Sequence, residues 1–145
     1  MKISILSLLT LVSIAANAQN MQETDSGSRP LVFDSSDLKI IEQADSILSD
    51  SLNWSKQDDR VCDDDIAVGT YSLFCALYKA SLDVAGEYAH RRPAMQIVRL
   101  TLEKYENGRV KEHRLMDWNN HPETTFEEVK KVLEESKETV KNQLK

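Results

Sequence analysis

Glycine, proline and cysteine are scarce in this chain of 145 residues, at four, three and two. So little Gly and Pro excludes collagen-like and low-complexity architectures, and two Cys make one bridge at most, which excludes a disulfide-built scaffold. Aromatic residues supply only 6% of the sequence, yet 41% of it is hydrophobic, near the globular norm, so a fully disordered chain is excluded as well. After the first 18 residues no apolar run escapes charge for the roughly 20 positions that a membrane span needs. No CxxC, HExxH, GxSxG or P-loop pattern occurs. His90, His113 and His121 are scattered, with no pair four apart on a helix, so neither a metal site nor a cofactor is expected, and no catalytic residue is assigned.

What is present starts at the N-terminus. Met1-Lys2 and the apolar run Ile3 to Ala16 have the layout of a secretory signal, and Ala16-Asn17-Ala18 is a small-x-small cleavage site. Cleavage after Ala18 is expected; an uncleaved anchor helix is the competing reading, disfavoured by the shortness of the run. The product is then exported, to the periplasm or beyond, without a lipid-bearing Cys at its start. Losing Lys2 takes the net charge from -6 to -7. Residues 19–66 hold twelve acidic and four basic residues, residues 67–145 twelve and thirteen, so the chain is acidic in its first half and nearly neutral in its second. Nucleic acid is a poor partner for such a chain, since polyphosphate binding needs clustered Lys and Arg.

Residues 19–35 read as a flexible polar leader that contributes nothing to a core, and residues 36–145 as one helical domain. Leu38, Ile41, Ala44, Ile47, Leu48 and Leu52 recur at helical spacing and predict a first helix over 37–52. Ile66 to Gly86, the most apolar stretch of the mature chain, predicts a buried central helix with Gly86 as its C-cap and Asp63 to Asp65 in front of it. Pro93 opens a third helix, which Glu106-Asn107-Gly108 ends as a turn. Residues 109–116 read as an extended or irregular connector. Thr125 with Glu128 forms a capping box for a last helix whose apolar stripe is Phe126, Val129, Leu133, Val140 and Leu144. The expected fold is all-α, a compact bundle of about four helices.

Cys62 and Cys75 are even in number in a chain bound for an oxidising compartment, so a bridge stabilising the fold by about 3 kcal/mol is the default. It requires the irregular segment 53–65 to fold back over the central helix. If it does not form, Cys75 is a small buried apolar residue.

Two short stretches carry the candidate binding residues. His90, Arg91 and Arg92 put three potential cations before the Pro93 helix, whose free N–H groups also favour an anion. One reading is a carboxylate or phosphate bound there. The other, favoured by the charge asymmetry, pairs Arg91 and Arg92 with the acidic segment 58–65. Trp118, Asn119 and His121 lie in Asp117-Trp118-Asn119-Asn120-His121-Pro122, either a ligand-facing turn or a Trp plug with Asn119 bonding local backbone; the plug is favoured.

Two segments together resemble an uncharacterised family of small bacterial and phage domains, with the patterns C-x-x-G-A-L-x-x-A and W-N-D-x-x-x-x-T-x-x-E-V. The second reads here Trp118-Asn119-Asn120, then Thr125, Glu128 and Val129; the first reads Ser72-Leu73-Phe74-Cys75-Ala76-Leu77 and Ala80. Ser72 stands where the pattern has Cys and Cys75 where it has Gly, as in a variant given a disulfide for export. The resemblance implies a small helical fold in which Trp118 and Thr125 shape the last turn, and carries over no activity. Small size, an export signal, an acidic surface and missing catalytic motifs lead to the expectation of a non-enzymatic protein that binds another protein, as immunity and inhibitor proteins do. The alternative is a small-ligand carrier or enzyme with a pocket near Trp118, His121 and Arg91.

Overall fold

A computed structural model describes residues 30–145. The expected signal, residues 1–18, and most of the expected leader lie outside the described residues. The described chain is all-helical: α1 (Ser35–Ile47), α2 (Cys62–Val68), α3 (Leu73–Ala85), α4 (Pro93–Leu102), α5 (Arg114–Asn120) and α6 (Phe126–Gln143), with short 3-10 turns at Ser51–Asn53 and Glu103–Tyr105. Six helices therefore replace the four expected, and each difference has a local cause.

The first helix starts earlier and stops sooner than its apolar spacing suggests. Asp34 accepts from the backbone N–H groups of Ser36 and Asp37, and Asp37 reaches back to the Asp34 N–H, a capping box built from two aspartates. Leu48 ends the helix buried, whereas Leu52 falls in the following 3-10 turn and is 81% exposed, so it is no part of the stripe. Just before α1, Leu31 and Phe33 pack on the core, so the expected coreless leader ends short of residue 31.

The expected central helix is two helices. Gly69 adopts the left-handed conformation (φ 79°) and closes α2, and Ser72 restarts the chain by accepting from the Cys75 N–H at 3.0 Å. Between them the backbone is extended: Tyr71 N–H donates to Asn53 O at 2.7 Å and Ser55 N–H to Tyr71 O at 2.9 Å. Pairing with the distant segment 53–55 overrides a helical pattern that was locally sound. Asp63, Asp64 and Asp65 lie within the first turn of α2, where the helix dipole favours them.

The expected connector 109–116 also differs, because α5 begins inside it. The Asp117 carboxylate accepts from the N–H groups of Lys111, Glu112 and His113 at 2.7–3.0 Å, gathering the preceding loop around the first turn. Leu115 and Trp118, three apart, turn inward and are buried.

The third and last helices start where the sequence places them, with Pro93 at N1 of α4 and both arms of the Thr125–Glu128 box formed on α6. Leu144 stays 40% exposed beyond the end of α6 rather than extending its stripe. In the core, α1 lies against α3 and α6, α4 against α6 and α1, and α5 against α3 and α4. No helix of the described residues is long and apolar enough to cross a membrane.

Cys62 and Cys75 are joined, with Cα atoms 5.1 Å apart across 13 positions of sequence. Cys62 is the first residue of α2 rather than part of an irregular segment, so the bridge ties one helix start to another. Replacing both with Ser is expected to lower the unfolding free energy by about 3 kcal/mol in urea denaturation. An unchanged midpoint would show that the bridge constrains nothing that α2 and α3 do not already fix.

Candidate functional site

The Asn119 carboxamide is buried and uses all its hydrogen-bonding capacity. Its Oδ1 accepts from the Trp54 indole N–H at 2.9 Å and from the Leu73 N–H at 3.1 Å; its Nδ2 donates to Ser55 O at 2.9 Å and to Asn120 Oδ1 at 3.2 Å. Asn120 in turn embraces the Asp58 backbone, accepting its N–H at 2.7 Å and donating to its carbonyl at 2.8 Å. The two amides therefore bond backbone 46 to 64 residues away, not the local backbone expected, and pin residues 54–58 against α3 and α5. Trp118 is fully buried as a plug, its indole N–H donating to Tyr105 O at 3.0 Å. His121 caps α5 and accepts the Glu123 N–H on Nδ1 at 3.3 Å.

Beside Trp118 lies the buried Arg109, a residue that sequence reasoning missed in the supposed connector. Its guanidinium stands 5.5 Å from the Trp118 ring centre and grips Glu128 with two bonds of 2.8 and 3.0 Å. It also donates to Thr124 Oγ1 and to the carbonyls of Tyr105 and Glu106. That contact holds the Glu128 carboxyl below the usual glutamate range. Removing Glu128 would leave the buried Arg109 charge uncompensated, at a cost of about 3 to 5 kcal/mol.

The stretch before α4 holds an anion, but the anion belongs to this chain. Asp37, almost wholly buried, accepts from the Ala94 N–H at 3.1 Å and from the Arg92 side chain at 3.2 Å, while Arg92 also faces Asp34 at 3.7 Å. The expected pairing of Arg92 with segment 58–65 is thus corrected to a pairing with the start of α1. A free carboxylate at the N-terminus of α4 is displaced by Asp37. Arg91 is exposed and makes no ion pair among the described residues.

Of the expected binding residues, one lines a cleft. His90, Asp58, Arg60, Phe74, Tyr88, Arg99 and the α5 start from Glu112 to Met116 enclose about 300 Å³; Arg91, Trp118 and His121 are not among its walls. A second hollow shares Arg60, Phe74 and Tyr88 and continues to Tyr78 and Cys62, so the two form one groove. Phe74, Tyr78 and Tyr88 stand with ring centres 5.1 to 6.3 Å apart. Arg99 donates to His90 O at 2.9 Å and faces His90 Nδ1 at 3.3 Å, and the same nitrogen lies 3.3 Å from the Tyr88 hydroxyl. The Arg99 charge holds the His90 imidazole below the ordinary histidine range, helped by burial and Arg91. Phe74 and Tyr78, four apart and half-buried on α3, were the readable sign of this surface; the loop residues 58–60 gave none.

Asp58 is only 4% exposed; its Oδ1 accepts from the Arg60 N–H at 2.8 Å, whereas Oδ2 is buried without a hydrogen-bond donor. Burial pushes its carboxyl above the usual aspartate range against the pull of the Arg60 N–H and the Ser72 hydroxyl, and the charges of Asp65 and Asp59 add to the rise. Among the described residues no group of three or more His, Cys, Asp or Glu is placed to hold a metal ion.

An acid whose folded value is raised holds its proton more tightly folded than unfolded. Ionising it therefore costs stability, and the cost grows as pH climbs from its unfolded value of 3.8 through the raised one. Asp58→Asn should accordingly raise the thermal midpoint at about pH 7, with a smaller gain at about pH 4. Equal or opposite shifts at the two pH values would mean that the ionised carboxylate is compensated.

No curated protein and no solved structure matches this chain. One family matches residues 33–139, described as a family of unknown function (DUF6197), in keeping with the resemblance to an uncharacterised family. The match spans α1 through most of α6, and the chain belongs to this family.

Proposed function

We propose that the protein is an exported, non-catalytic binding protein that receives a partner protein in the groove between α3, α5 and the loop before α4, as an immunity or inhibitor protein would. The observation that carries this reading is the groove itself: an open surface where three aromatic rings adjoin guanidinium groups. Aromatic and Arg side chains are the types that anchor protein interfaces. Export is supported by the signal pattern of residues 1–18 and by a bridged cysteine pair, which suits an oxidising compartment. His90 faces a cation, Arg99, rather than a nucleophile to activate.

The expectation of a pocket near Trp118, His121 and Arg91 moves, as a small-ligand reading, to the cleft at His90 and Arg99. Partner capture from the medium or periplasm of the expressing cell tests the main reading. The wild-type bait, with an intact mass beginning at Gln19 and no free thiol, is expected to retain a partner that Arg99→Glu and Tyr88→Ala lose. Lys131→Glu, on the exposed face of α6, should keep it. A partner held equally by all four forms would move binding off the groove, and a full-length mass would refute export.

A further inference from the structure

We infer that the groove recognises a carboxylate set beside an aromatic or branched apolar group, and that its occupant is an acidic segment of the partner protein. This deepens the binding reading above and rests on it. Three guanidiniums, Arg60, Arg99 and Arg114, and two imidazoles, His90 and His113, line the first cleft against two carboxylates, Asp58 and Glu112, and the second hollow adds Asp63. Arg114 is already neutralised, by Glu103 at 2.6 Å and Glu106 at 2.7 Å. Arg99 is not: its bonds go to the His90 carbonyl and ring, which orient the guanidinium and leave its charge unanswered.

Arg60, which lines both hollows, is held by its backbone. Its φ of 65° lies in the left-handed region that residues other than Gly seldom enter, and two side chains hold the turn there. Asp58 Oδ1 accepts the Arg60 N–H and Asp59 Oδ1 accepts the Val61 N–H, each at 2.8 Å. Neither Arg60 nor Arg99 has an ion-pair partner among the described residues, although Arg92, Arg109 and Arg114 all do. In a chain with a net charge of -6, two guanidiniums that line one cleft and are ion-paired to neither of its carboxylates point to an anion from outside.

The character of that anion follows from its neighbours. Asp58 and Glu112 in the same wall disfavour a doubly charged phosphate and leave a singly charged carboxylate. Phe74, Tyr78 and Tyr88, their rings tilted or edge-on to one another, give an aromatic wall for the group beside it. The second hollow prolongs the first through Arg60, Phe74 and Tyr88 as far as Cys62, Asp63 and Tyr78, a continuation that suits an extended peptide.

An array of capped octapeptides that varies acidic and aromatic positions, read by fluorescence anisotropy against the full mature protein, tests this. Acidic–aromatic members are expected to bind. Replacing their Asp and Glu by Asn and Gln should weaken them at least tenfold, as should Arg99→Gln or Arg60→Gln in the protein, with thermal midpoints reporting that both variants fold. Equal binding by the amide peptides, no response to either Arg substitution, or no binding by any member would overturn the inference. Phenylacetate competing as well as the best peptide would assign the cleft to a small acid instead. Should the array fail while partner capture still depends on Arg99, the binding reading stands and only the acidic segment falls; capture indifferent to Arg99 removes the binding reading itself.

Discussion

One buried carboxamide organises the part of this molecule that is not regular helix. Asn119 sits on α5 with two acceptor bonds and two donor bonds, and its partners come from Trp54, Ser55, Leu73 and Asn120. Leaving any of these groups unpaired in the core costs on the order of 1 to 3 kcal/mol, so the four contacts stand or fall as a set. Through them the loop 54–58 is fixed, and with it the approach to Cys62, the bridge to α3 and the wall of the groove that carries Asp58 and Arg60.

Internal charges divide into two groups by what surrounds them. Arg109 with Glu128, and Asp37 with Arg92 and the Ala94 N–H, are closed sets in which each ion meets its complement within the chain. They join elements distant in sequence: Arg109 ties the turn after α4 to α6, and Asp37 ties α1 to α4. Arg60 and Arg99 are the opposite case: Asp58 holds the Arg60 backbone, the His90 carbonyl orients the Arg99 guanidinium, and neither has an ion-pair partner among the described residues where they line the cleft. The same distinction explains why the cations before Pro93 were a good clue to an anion and a poor clue to a ligand. Asp37 was already the anion.

Features that depend on near neighbours in sequence were legible. The Thr125–Glu128 box, Pro93 at a helix start, the all-helical class and the plugging role of Trp118 all follow from spacings of a few residues. Features that depend on distant partners were not. Gly69 ends a helix because Tyr71 pairs with segment 53–55, and nothing near Gly69 announces that partner. The two-turn helix α5 is too short and too polar for periodicity to show, being capped by Asp117 from within. Of the groove, His90 was readable, whereas Asp58 and Arg60 reach Arg99 on α4 only through the chain path of segment 54–60, which Asn119 and Asn120 hold.

Amide hydrogen exchange on Asn119→Ala, compared with the wild-type chain, tests that dependence most directly. Loss of protection is expected at residues 54–61 and at the Leu73 amide, with the amides of α6 unchanged. Protection unchanged at 54–61 would contradict the role given to Asn119, and so would uniform loss across α1, α3 and α6, which would make Asn119 one core contact among many rather than the clamp that builds the groove.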